Sequence, residues 1–143
     1  MKRALPMIGC LFPLLLGAII ELYMLTDWYY NIAAIPIGIA VLVIWFFLGF
    51  FFTKYFNSII HTTIAQNFPA LVILLLILLS QIFSGFYSLD QLGSGSQMFY
   101  LPLMSMAVSL TIGHRIFPAF IVAFFLLLIT SFAGCVVGER RRK

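Results

Sequence analysis

The sequence predicts an all-α membrane protein, a bundle of four transmembrane helices with a short re-entrant or interfacial helix before the last one. Three observations predict it. The 143-residue chain is 64% hydrophobic and 8% charged, against about 25% charged residues in a soluble domain. Its mean hydropathy is +1.15. The apolar residues come in runs of roughly 20, the length that carries a helix across about 30 Å of hydrocarbon. Runs such as LVILLLILL over Leu71–Leu79 do not alternate in polarity, as the strands of a membrane β-barrel do. A single integral membrane domain over 1–143 follows.

The first span is expected over about 5–25. A basic start, Lys2 and Arg3, precedes an apolar run that no A-x-A site closes, so the segment reads as an uncleaved span rather than a signal peptide. Asp27–Asn31 (DWYYN) is a turn rich in the aromatics that collect at membrane interfaces. It is short enough to join spans 1 and 2 (about 32–53) as a helical hairpin. Lys54–Asn67 then reads as an extension of span 2 and an interfacial turn, with Phe56, Ile59, Ile60 and Ile64 on one face. Span 3 follows at about 68–89, with Asn67 and Pro69 near its first turn. Asp90–Gln97 (DQLGSGSQ) is a flexible loop. The last span, about 118–137, ends in Gly138 and the basic tail.

The stretch Met98–Arg115 decides the topology. It holds 16 uncharged residues before His114 and Arg115, which reach about 24 Å as a helix, short of about 30 Å. Pro102 and Gly113 shorten the usable helix further. Charge placement agrees. A crossing here makes five spans and divides the eight Lys and Arg residues four to four between the two sides. If the stretch turns back, Lys2, Arg3, Lys54 and the four tail residues share one side, and Arg115 alone lies opposite. Seven to one satisfies the positive-inside rule. The helix at about 98–113 is therefore expected to re-enter or to lie on the outer surface. Backbone at membrane depth must be covered by protein or face water, so a re-entrant segment must pack against the four spans. Both termini are expected to face the cytoplasm. The compact spans and short loops point to a bacterial plasma membrane.

The net charge of +4 is a topology signal rather than a nucleic-acid footprint, because the cations flank the spans. Cys10 and Cys135 sit in apolar segments, where cysteine acts as a small hydrophobe. Neither belongs to a zinc or redox pattern. The spacing of His61 and His114 shows no metal motif. No nucleophile with a base, carboxylate pair or phosphate loop is legible, so no catalytic, metal or cofactor residue is assigned.

Candidate polar residues remain. Glu21 lies within span 1, on the face of Gly9, Pro13 and Gly17. A carboxylate at mid-membrane costs about 2.5–3.5 kcal/mol on insertion scales, so it is expected to point into the bundle or an outer cavity. Gln81 and Ser84 share a side of span 3, and a Glu21–Gln81 hydrogen bond would join the two spans. Glu21, Gln81 and Ser84 are thus the candidate polar cavity, with helix–helix adhesion as the structural alternative. His114, Arg115, Arg140, Arg141 and Arg142 are candidate contacts for lipid headgroups. Small residues four apart, at Thr130, Gly134 and Gly138 and at Ala119 and Ala123, allow close helix packing within the chain or between copies.

Three functions fit, in this order. The first is an accessory or interaction subunit of a membrane complex, with the bilayer and a membrane protein or a second copy as partners. The second is an oligomeric channel or transporter subunit that uses Glu21, Gln81 and the 98–115 half-helix. The third is an intramembrane enzyme or lipid-binding protein.

Overall fold

A computed structural model describes residues 10–24, 34–56, 58–84, 97–111 and 116–142. The described residues are 87% helical and contain no strand. In order the helices are α1 (Phe12–Met24), α2 (Ala34–Phe52), α3 (Ile59–Ser84), α4 (Leu101–Leu110) and α5 (Ile116–Arg140). Three of them are long and apolar enough to cross a membrane. Their windows are Ile35–Phe52, Ile59–Ser80 and Pro118–Arg140, with mean hydropathies of 2.6, 2.0 and 2.7. The fourth expected span is described over the 13 residues of α1. The expected loop at Asp90–Gln97 and the turn at Asp27–Asn31 lie outside the described residues, apart from Gln97.

The helix directions follow from their contacts. The ends of α2 and α5 and the start of α3 line one cavity, through Thr53, Ile59 and Glu139. Hence α2 and α5 run parallel, and α3 runs antiparallel to both. The end of α3 and the start of α5 therefore lie at the same end of the bundle. The short helix α4 lies between them in the chain. At ten residues it is about 15 Å long, and Pro102 stands in its first turn, where a missing N–H costs nothing.

One face of α4 and the residues just before it are buried. Phe99, Tyr100, Leu103 and Ala107 have no exposed surface, and α4 packs on α1, α2 and α5. Edge-to-face rings run from Trp45 to Phe99 (6.3 Å), Phe99 to Tyr100 (5.2 Å) and Tyr100 to Phe120 (6.0 Å), an arrangement favoured by the ring quadrupole. The Tyr100 hydroxyl donates to the Ala70 carbonyl of α3 at 2.6 Å. Ala70 lies eleven residues after Ile59, about 16 Å along α3. The start of α4 is thus fixed near the middle of the bundle, to all three long helices.

Close backbone approach holds α2 to α5. A Cβ on Gly134 would strike the Phe46 carbonyl, and one on Gly138 would lie 2.6 Å from the Phe50 oxygen. From α2, a Cβ on Gly49 would lie 2.6 Å from the Ser131 oxygen. Gly134 and Gly138 are therefore used within the chain, which answers one of the two uses left open by the small-residue spacing. Ala119 and Ala123 are also fully buried. Gly17 of α1 meets the Met98 carbonyl in the same manner. In lipid, where apolar burial gives no advantage, such packing is a main source of helix association.

One element boundary differs from expectation. Helix α3 starts at Ile59, not near residue 68, and Pro69 lies inside it. Thr62, Thr63, Gln66 and Asn67 of the expected interfacial turn form the buried face of its first turns, and Gln66 and Asn67 find partners on α2 and α5.

Candidate functional site

The interior polar cluster is built from three helices. On α3, Thr62, Thr63, Gln66, Asn67 and Ala70 are buried. Their spacings of one, three and four residues place them on one helical face. The opposite face carries Ile60, Ile64, Phe68, Leu71, Leu75 and Leu79, all exposed. This half of α3 is polar inward and apolar outward, the reverse of a helix in water.

Gln66 is the junction. Its Nε2 donates to the Trp45 carbonyl at 2.9 Å, and its Oε1 accepts from the Ser131 hydroxyl at 2.8 Å. One amide therefore links α2, α3 and α5. Asn67 accepts from the indole Nε1 of Trp45 at 3.2 Å and donates to the Thr63 carbonyl at 2.8 Å. The Cys135 thiol reaches the Gly49 carbonyl at 3.5 Å. The Thr63 hydroxyl faces the Cys135 thiol but closes no bond of ordinary geometry. Cys135 and Cys10 are buried and not joined by a disulfide. Chemically the cluster is neutral. It presents amides, hydroxyls and an indole, most of them turned onto one another.

A second polar region lies where α2 and α5 end. Lys54 stacks over the Phe51 ring at 5.6 Å, and Arg141 over the Phe50 ring at 5.7 Å. Arg142 donates to the Thr53 carbonyl at 3.3 Å, one of the carbonyls that a helix end leaves unpaired. Three cavities open here among the described residues, of about 520 Å³ beside Lys54, Arg141 and Arg142, about 290 Å³ beside Ser58, Thr62 and Glu139, and about 210 Å³ beside Val136 and Arg140. Lys54 and Arg140–Arg142 thus lie at one end of the described helices.

The expected site residues fare unevenly. Glu21 belongs to α1, and Gln81 and Ser84 to the last turn of α3. Their side chains, and hence the expected Glu21–Gln81 bond, lie outside the described residues, as do His114 and Arg115. Arg140, Arg141 and Arg142 are exposed at the end of α5. The cluster of Trp45, Gln66, Asn67 and Ser131 was not expected. Its signal in the sequence is the i, i+3, i+4 spacing of Thr62, Thr63, Gln66 and Asn67, set against apolar residues on the other face.

No protein-family model, curated protein or solved structure matches this chain.

Proposed function

We propose that the chain is a non-catalytic accessory or interaction subunit of a membrane complex. In this reading α2, α3 and α5 cross the bilayer and the 5–25 segment makes a fourth crossing. The return segment carrying α4 re-enters from the outer side. The shared end of Lys54 and Arg140–Arg142 supports a cytoplasmic placement of that end by the positive-inside rule. The observation that carries the functional reading is the hydrogen bonding of Gln66. Its amide is engaged by α2 and α5 at once, so the polar interior acts as adhesion between helices. Outward, α3 offers a continuous apolar stripe from Ile60 to Ile82, long enough to meet lipid or another membrane helix. The test is chemical cross-linking in native membranes, followed by purification in mild detergent and determination of mass. A cross-linked complex is expected. A solitary monomer with no cross-linked neighbour counts against the proposal.

One observation favours a second reading, a channel or transporter subunit. The N-terminal end of α4 stops halfway into the bundle, and interrupted helices of this kind occur at substrate sites in transporters. Glu21 and Gln81 would then line the path. Liposome flux that is absent, or unchanged in Glu21→Gln and Gln81→Ala proteins, would remove this reading.

A further inference from the structure

We infer that Lys54, Arg141 and Arg142 form a binding site for the phosphate of an anionic phospholipid. The inference rests on the membrane assignment alone and not on the accessory role. Three features carry it. First, the 520 Å³ cavity is lined by Phe50, Thr53, Lys54, Gly138, Arg141 and Arg142, three cations with no carboxylate among the described lining residues. Glu139 lines the neighbouring cavities instead, one of which it shares with Arg142. Like charges gathered on one cavity repel, and a bound anion relieves that repulsion. Second, the cations are held in place. Gly138 lets α5 approach α2 until a Cβ would lie 2.6 Å from the Phe50 oxygen and 2.7 Å from the Thr53 hydroxyl. Rings hold Lys54 and Arg141, and the Thr53 carbonyl holds one N–H of Arg142. A guanidinium has five N–H donors, so donors remain for a phosphate, which Arg recognises well. Third, the cations cap an apolar wall. Phe47, Phe51 and Lys54 follow at spacings of four and three along α2, and both rings are about half exposed. An acyl chain fits beside the rings while its phosphate meets the cations. A free phosphate has no use for the wall.

The test is native mass spectrometry of the purified full chain in detergent, titrated with phosphatidylglycerol or phosphatidylcholine. The wild type is expected to retain phosphatidylglycerol in preference. Lys54→Gln, Arg141→Gln and Arg142→Gln should each weaken retention about five-fold, the worth of one surface cation near anionic lipid. Arg140→Gln removes the same charge but faces Ile59, Val136 and Glu139, and should change retention less than two-fold. Lys54→Arg should retain the lipid. Equal retention of both lipids overturns the site, as does an Arg140→Gln effect equal to the others. Loss in Lys54→Arg as large as in Lys54→Gln also overturns it. Displacement of the lipid by excess inorganic phosphate would show an anion site with no role for the acyl chain, and the lipid assignment fails. None of these outcomes bears on whether the chain has a protein partner.

Discussion

Gly49 stands where α2, α3 and α5 meet, and replacing it with alanine tests the helix packing directly. An added Cβ would lie 2.6 Å from the Ser131 carbonyl oxygen, 3.2 Å from the Gln66 Oε1 and 3.4 Å from the Cys135 nitrogen. The nearest of these is backbone and cannot rotate away. Ordinary contact begins near 3.4 Å, so α2 and α5 must part by about 0.8 Å, the difference between 3.4 and 2.6 Å. A gap of that size forfeits about a quarter to a half of each dispersion contact it opens. Overpacking of this kind costs about 1–3 kcal/mol. Gly38 is the control on the same helix. There a Cβ would lie 3.3 Å from the Pro102 oxygen and 3.6 Å from the Met106 Cβ, so a shift of about 0.1 Å accommodates it. Thermal unfolding in detergent should show Gly49→Ala melting well below wild type and Gly38→Ala close to it. Equal melting of the two variants would refute the close α2–α5 approach.

Gln66→Met should cost about 1 kcal/mol in the same assay, from two bonds at about 0.6 kcal/mol each. Ser131→Ala should cost about half as much, and a double-mutant cycle should return a coupling between them. Tyr100→Phe removes the 2.6 Å bond to the Ala70 carbonyl while keeping the ring contacts. A loss of about 0.6–1.7 kcal/mol is expected, and no change would mean that the bond does not anchor α4. For topology, single cysteines replacing Lys54 and Arg142 in a chain lacking Cys10 and Cys135 should react with an impermeant thiol reagent from the same side of the membrane. Reaction from opposite sides would contradict the parallel α2 and α5.

The composition and run lengths by themselves determined the class. With 64% hydrophobic residues in runs of about 20, a chain can satisfy its backbone in lipid only as helices. Charge placement by itself gave the expectation that Met98–Arg115 turns back, because a basic residue is costly to carry across a membrane and so records the side on which its helix ends. Pro102 and the short reach of the stretch marked α4 as a short helix for local reasons that hold in any fold. The start of α3 was not legible. Thr62, Thr63, Gln66 and Asn67 look like an interfacial turn because hydropathy assigns each a cost. For Gln66 and Asn67 that cost is offset by Trp45 and Ser131, which lie 21 and 65 positions away from Gln66. Only the tertiary structure could supply those partners. It also decided that Gly134 and Gly138 face α2. The spacing of small residues says that a helix face is flat, and the packing alone decides what lies against it.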